Sequence, residues 1–376
     1  MTRSLLALLL ILGQLPLAAA TRRRVVQHPA APVASAALVA AARKAAETAM
    51  AAGVPGLQIA VADHGQVIYS EAFGMTDRES AIATTPRSIM QIGSVTKQFT
   101  AAAILRLAER GKLTLDDRID TYVPEFNSRG ATITLRQLLS HTSGVRRDWI
   151  LFPPPAGFDF GAPVTRAQVI ETLNNGQTLN FPPGAAWSYS NAGYMLLGFA
   201  IESITGMSYA DFIHQEFALP LGLLDTGLCG SHDLPVPKGY VQIPNGSWIR
   251  KAPTHPSINV ANGAICSTAF DLARWSHLLA TGNVVLPASY ATMTTPVHIV
   301  NEIPVINYGL GFFLQKQLGY STAWHGGAID GFQAFLLDVP ERDMTIAVTN
   351  NAFPAPATCD PMLTAMAVAK VALAAP

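Results

Sequence analysis

Apolar positions fall into two rhythms along this chain, and the change of rhythm divides it. Alanine-rich sequence from Ala34 to Ala52 predicts a helix stopped by Gly53 and Pro55. The following run, GLQIAVADHGQVIYSEAFG, alternates and breaks at His64-Gly65, which predicts a strand hairpin. From Ser94 to about Leu228 the spacing becomes mainly helical. Ser94 is expected to cap one helix that ends at Gly111, TLRQLLSH forms a short second, and NAGYMLLGFAIESITG forms a third with Gly206 as its stop. Between them LFPPPAGFDFGAPV, Leu151 to Val164, is too rich in Pro and Gly for regular structure, and its aromatic residues suit it to a pocket wall. STAFDLARWSHLLATG predicts another capped helix. Strand character returns in NYGLGFFLQ and in GFQAFLLDVPERDMTIAVTNN, where the Pro340-Glu341-Arg342-Asp343 turn joins two alternating runs. A last helix is expected from about Thr358 to Leu373.

Strands towards both ends with helices between them predict an α+β fold: one antiparallel sheet built from both termini and flanked by helices, with an inserted, mostly helical domain. The expected boundaries are 34–93 and 236–376 for the sheet domain and 94–235 for the helical one. A cleft between the two is the expected site.

Composition narrows the function. The chain has 376 residues, 49% of them hydrophobic, and its 25 Lys+Arg balance 25 Asp+Glu. Nothing in that balance draws it to a phosphate backbone, so a nucleic-acid role is disfavoured. Residues 1–20, with Arg3 ahead of an apolar stretch from Leu5 to Leu17 and small residues from Ala18 to Ala20, have the pattern of a cleaved secretory signal. The apolar stretch is short for a membrane span, which needs about 20 residues. Residues 21–33 then form a flexible N-terminal segment, and the mature protein is expected in the periplasm or outside the cell, without a membrane span. Cys229, Cys266 and Cys359 allow at most one disulfide and leave one thiol over. The histidines form no H-E-x-x-H or equivalent cluster, so no metal and no cofactor is expected.

The candidate chemistry begins at QIGSVTKQFTA. A serine three residues before a lysine on a helix lies on the same face, within reach of its amine. A hydroxyl is a weak nucleophile unless a neighbour takes its proton or stabilises the alkoxide, and a helix N-terminus adds positive potential. Ser94 and Lys97 are the only such pair in the chain, and Gly93 precedes them where the backbone must turn from loop to helix.

With this motif the sequence resembles the serine β-lactamases and penicillin-binding proteins, in the branch of class C β-lactamases, R61-type DD-peptidases, D-aminopeptidases and β-lactamase-like esterases. That family implies a Y-x-N element and a K/H-x-G strand segment, and both are present in order: Tyr189-Ser190-Asn191 in WSYSNAGY and His325-Gly326-Gly327 in AWHGGAIDGF. LLSHTSGV, LPLGLLDTGL and STAFDLARW extend the resemblance from about Val54 to the C-terminus.

The resemblance implies acylation of Ser94, an oxyanion hole from the backbone N–H groups of Ser94 and Ala328, and either Tyr189 or neutral Lys97 as the base. Asn191 would orient Lys97 and the acyl amide, and His325 would steer the proton or the leaving group near Tyr189. Gly326 and Gly327 line the substrate strand, and His141 has a structural loop role. Class C β-lactamases carry Lys-Thr-Gly where this chain has His325-Gly326-Gly327. A group that clamps a carboxylate is therefore missing, and a D-peptide or ester becomes the expected substrate, with β-lactams slow; the alternatives are a β-lactamase or DD-carboxypeptidase proper, or a penicillin-binding receptor-like module with little turnover. The expected partner is a small-molecule or peptide substrate, and the expected state a monomer.

Overall fold

The computed structural model describes residues 33–150, 154, 156–175, 179–297, 299 and 307–374. The signal-like segment and most of the segment to residue 33 lie outside the described residues, as do 151–153 and 155 of the aromatic loop.

Helix α1 (Ala36–Ala51) is capped by Ser35, whose side chain accepts from the Leu38 N–H. Strands β1 (Gly56–Asp63) and β2 (Gln66–Asp77) form the expected hairpin, with His64 and Gly65 both at positive φ in its turn. Short β3 (Ile82–Ala83) and β4 (Met90–Gln91) follow, then helix α2 (Thr96–Glu109). Next come α3 (Leu135–Leu139), α4 (Arg166–Asn174), α5 (Asn191–Thr205), α6 (Tyr209–Ile213) and α7 (Leu219–Leu221). β5 (Gly227–Leu228), β6 (Tyr240–Gln242), β7 (Trp248–Arg250) and β8 (Ile265–Ser267) lead to α8 (Ala269–Ala280) and α9 (Pro287–Met293). The chain ends in β9 (Phe313–Gln317), β10 (Tyr320–Ile329), β11 (Phe332–Val339), β12 (Met344–Asn350) and α10 (Pro361–Ala372).

The large sheet is antiparallel throughout, in the order β3-β2-β1-β12-β11-β10-β9, so the first and last long strands lie side at its centre. The period of two along β1 sorts its side chains onto two cores. Leu57, Ile59 and Val61 pack with Leu38, Ala42 and Val368 of the terminal helices α1 and α10. Ala60 and Ala62 turn to the other face, into the core that holds Leu272 and Trp275 of α8. Gln58 breaks the apolar run yet is buried, because its amide is satisfied on both sides: Nε2 donates to the Thr85 and Ser88 carbonyls at 2.6 and 2.8 Å. Its Oε1 accepts from the Ala269 N–H and the Thr349 hydroxyl.

Three expectations are corrected in detail. Ser94 does not cap α2: Gly93–Val95 form a 3-10 turn that runs into the helix, and no side chain caps it. Released from capping, the Ser94 hydroxyl faces Lys97 instead. NYGLGFFLQ is a strand only from Phe313, with Tyr308 in an isolated bridge to it. The last helix starts at Pro361, behind a 3-10 turn at Ala357–Cys359 and an Asp360 cap. The cysteines resolve into a Cys229–Cys266 disulfide joining the β5 end to β8, with Cys359 free and buried. Among the described residues no helix is long and apolar enough to cross a membrane.

Candidate active site

The site is made by a strand edge meeting a turn. β9 pairs with β10 only as far as Trp324, so from His325 to Ile329 that edge of β10 is left to the turn carrying Ser94. Two glycines allow the approach. A Cβ on Gly327 would lie 1.9 Å from the Ile92 carbonyl oxygen and 3.0 Å from the Ser94 nitrogen, and one on Gly93, at φ +50°, would lie 2.7 Å from the Ala328 nitrogen. The backbone amides of Ser94 and Ala328 are thereby brought to the same few ångströms. The turn is fixed from behind by β8, where the Ile92 N–H donates to the Ile265 carbonyl and Thr96 Oγ1 accepts from the Ile265 N–H.

Lys97 is fully buried. Its Nζ lies 3.2 Å from Ser94 Oγ, 2.8 Å from Asn191 Oδ1 and 2.8 Å from the Asn262 carbonyl oxygen, and it sits over the Tyr189 ring at 4.7 Å and the Tyr194 ring at 5.4 Å. Desolvation dominates, with the Arg147 charge adding to it and Asp148 opposing, and the amine is held well below its ordinary pKa. Asn191 opens α5 and is fixed at both ends, since its Nδ2 donates to Asp148 Oδ1 at 2.7 Å.

Tyr189 precedes the Ser190 cap of α5, whose hydroxyl accepts from the Gly193 N–H and donates to the Arg146 carbonyl. Burial raises the Tyr189 pKa, against an opposing contact with the Ser94 hydroxyl, and the group is a phenol at neutral pH. His141, at φ +63°, packs on Tyr189 with ring centroids 4.4 Å apart, and its Nδ1 accepts from the Ser190 N–H. His325 is buried with Nδ1 2.6 Å from the Gly326 carbonyl oxygen and Nε2 3.2 Å from the Tyr308 hydroxyl. Since the carbonyl can only accept, Nδ1 carries the proton and Nε2 accepts from Tyr308. Desolvation and then the Lys97 charge push the His325 pKa down to about 3, so the ring is neutral.

All four residues expected to act chemically, Ser94, Lys97, Tyr189 and His325, therefore border one cavity or its buried wall, and Asn191, Gly326, Gly327 and Ala328 line the same space. The contributors not foreseen from sequence are Asn262, Asp148 and Tyr308. Asn262 acts through its carbonyl, which no side-chain pattern announces. Asp148 follows the recognisable SHTSGV run but carries no motif of its own. Phe160 of the aromatic loop lines an adjoining cavity of about 740 Å³, with Arg147, Asp148, Asn191 and Asp330. Among the described residues no group of three or more His, Cys, Asp or Glu side chains could hold a metal.

The Beta-lactamase family profile matches residues 42–369. Penicillin-binding protein 4* of Bacillus subtilis is 28% identical over 311 residues, covering 78% of this chain and 67% of that protein. Protein flp of Staphylococcus aureus is 26% identical over 322 residues, covering 79% of this chain and 60% of that one, so the chain spans only about two thirds of the length of these relatives. Among solved structures, an octameric penicillin-binding protein homologue from Pyrococcus abyssi superimposes with a TM-score of 0.78 at 25% identity, covering 89% of this chain and 77% of that one. A D-stereospecific amidohydrolase from Streptomyces sp. does so with a TM-score of 0.74 at 28% identity, covering 86% and 96%.

Proposed function

The chain belongs to the Beta-lactamase family and is a serine hydrolase, and from that premise we propose that it works through an acyl-enzyme on Ser94, cleaving D-amino-acid peptides, amides or esters and β-lactams slowly. The observation that carries this reading is the environment of Lys97. Asn191 Oδ1 and the Asn262 carbonyl can only accept hydrogen bonds, so a neutral amine donates its two N–H groups to them and turns its lone pair to the third neighbour, the Ser94 hydroxyl. A lowered amine pKa and a raised phenol pKa favour Lys97 over Tyr189 as the base, because the lysine is ready to take a proton and the tyrosine is not.

In this scheme Ser94 Oγ bonds to the substrate carbonyl carbon as its proton passes to Lys97 Nζ. The carbonyl oxygen becomes an oxyanion held by the Ser94 and Ala328 N–H groups, each such donor contributing about 3 kcal/mol. The proton then travels by way of the Tyr189 hydroxyl to the departing oxygen or nitrogen, and that bond breaks. Water repeats the sequence, adding to the acyl carbon, and the acyl–Oγ bond breaks with the proton returned to Ser94. Asn191 orients the amine and the acyl amide. His325, neutral and bonded to Tyr308, stands behind Tyr189, with ring centroids 6.1 Å apart, and sets the polarity through which the proton moves.

The amidohydrolase from Streptomyces supports a D-amino-acid substrate by its likeness. The Cys229–Cys266 disulfide supports export to an oxidising compartment, periplasmic or extracellular. We place the functional cleft between a sheet lobe, 34–93 and 236–376, and a helical lobe, 94–235, in a monomer. The test is intact mass after exposure to a fluorophosphonate and to a penicillin, followed over time and mapped to a peptide. The expected result is one adduct, on the peptide holding Ser94, that decays for penicillin and is absent in Ser94→Ala. Labelling at another serine would sink the mechanism, and a penicillin adduct that persists while esters are not turned over would make the protein a receptor.

A further inference from the structure

Two cavities adjoin beside the Ser94 turn, one of about 740 Å³ and one of about 630 Å³, sharing Arg147, Asn191 and Ala328. Ser94 and Tyr189 line only the smaller, so bond cleavage takes place there, and the acyl part reaches the larger past Asn191 and Ala328, which line both. A group that hands a proton to a departing atom must lie within hydrogen-bond reach of it. The leaving group therefore occupies the smaller cavity and the acyl part the larger.

The smaller cavity has an ordered aromatic wall. Trp324 is stacked between Phe313, at 4.7 Å and 20°, and Phe335, at 5.3 Å and 28°, and Trp187 meets Phe313 edge-on at 6.4 Å. Met362 adds a thioether. Such a wall offers ring contacts without first being ordered, so little conformational entropy is lost on binding. Its charges are unfavourable to an anion. Asp360 is a carboxylate on the lining, and His325 is neutral. Arg147 is shared with the larger cavity, lies 3.5 Å from Asp148, and has a side chain 69% exposed, where water and salt screen it.

Gly326 completes the picture by contrast with its neighbour. Gly327 cannot take a Cβ, but at Gly326 one would meet nothing nearer than Phe335 at 3.7 Å, an ordinary contact, and its φ is not in the left-handed region. Packing does not demand glycine there. Its effect is to leave open volume beside Phe335 and to withhold a hydroxyl from the cavity.

We propose that this cavity selects a neutral aromatic leaving group, a benzyl-sized alcohol or amine, over both a small aliphatic one and one that bears a carboxylate. The proposal rests on the acyl-enzyme reading given above. It is tested with esters of a single N-acyl-D-alanine and three primary alcohols: benzyl alcohol, ethanol and glycolic acid. The acyl part is constant, and kcat/KM reports acylation. The benzyl ester is expected to exceed the ethyl ester by about 10- to 100-fold, the range for burying one aromatic side chain, with the glycolate ester at or below ethyl. In Trp187→Leu the benzyl-to-ethyl ratio should fall, and in Gly326→Thr it should fall while the glycolate ester gains about 10-fold, as a new hydroxyl–carboxylate hydrogen bond would give.

Equal benzyl and ethyl rates would overturn the proposal. So would a leading glycolate ester that loses its advantage in Arg147→Gln, or a ring preference seen only when the ring is moved to the acyl side. If a variant fails to fold, the three esters on the unaltered protein decide alone. Turnover of none of them, with no adduct on Ser94, would defeat the acyl-enzyme reading itself.

Discussion

Lys97 and Asp338 are two buried ionisable groups that water has been removed from, and they have opposite uses. Burial pulls the Lys97 amine down and pushes the Asp338 carboxyl up to about 6, so each is held towards its neutral form. Around Asp338, the Tyr290 and Thr345 hydroxyls donate at 2.9 and 3.2 Å, Ser276 also favours the carboxylate, and Asp343 opposes it. Every neighbour belongs to the interface of the sheet with α8 and α9, and Asp338 lines no described cavity. Around Lys97, two neighbours can only accept and the third, Ser94, is partly exposed at a cleft. The lesson is that a displaced pKa marks a site only when a group bonded to it opens onto a cavity that something can enter, as Ser94 does.

This contrast can be broken at either end. Lys97→Ala should cost at least the roughly 100-fold in kcat/KM expected of a positioned general base, measured on a simple ester with folding checked by circular dichroism. A near-normal rate would move the base elsewhere. Tyr189→Phe should cost less than Lys97→Ala on an activated aryl ester, whose leaving group needs no proton, and comparably on an amide. Equal losses on both would make Tyr189 the base after all.

The pH profile is the next measure. A base must be unprotonated to act, so kcat/KM should rise with pH through the Lys97 pKa and level off well below the ordinary lysine range near 10.4. A limb rising only above pH 10 would contradict the buried, neutral amine.

The smallest effect is at Asp338. Its folded pKa, about 6, lies above the unfolded value near 3.9, so its contribution to stability is fully present below about pH 4 and is lost as pH rises through 6. Asp338→Asn should therefore gain stability relative to the unaltered protein between pH 4 and 7, by up to on the order of 2–3 kcal/mol, with kcat/KM unchanged. Thermal melts across that range check it. A loss of activity would show that Asp338 is coupled to the cleft.

Much of this arrangement is legible in local sequence because its causes are local. The helix starts at Thr134 and Thr268, the stop at Gly206 and the turn at His64-Gly65 each depend on four or five residues, and those elements fall where the signals put them, whereas α1 starts just inside the run read as helical from Ala34, behind the Ser35 cap. Ser94 and Lys97 are readable as a pair for the same reason. Other features are not local. Ser94 gives up capping because β10 and β8 fix its turn, and those strands come some 170 to 230 residues later in the chain. α4, with only Val169, Ile170 and Leu173 buried, has too narrow an apolar stripe to stand out from its loop. The Asn262 carbonyl contributes a backbone atom that every residue owns. The aromatic wall draws on Trp187, Phe313, Trp324 and Met362 from four separate segments, and each alone looks like an ordinary core residue.

The pairing at the middle of the sheet also governs when the protein can come into being. β1 finds one of its two partners at once, across a tight turn, but the other is β12, with Leu57 opposite Asn350. Until nearly the whole chain is available, β1 keeps one row of backbone donors and acceptors open. The cleft depends on the same late arrivals, because Met362 and Asp360 of its lining belong to the start of α10. Such long-range closure makes for slow folding. The cleft thus waits on the last segments of the chain, and a chain still being made holds an unarmed Ser94.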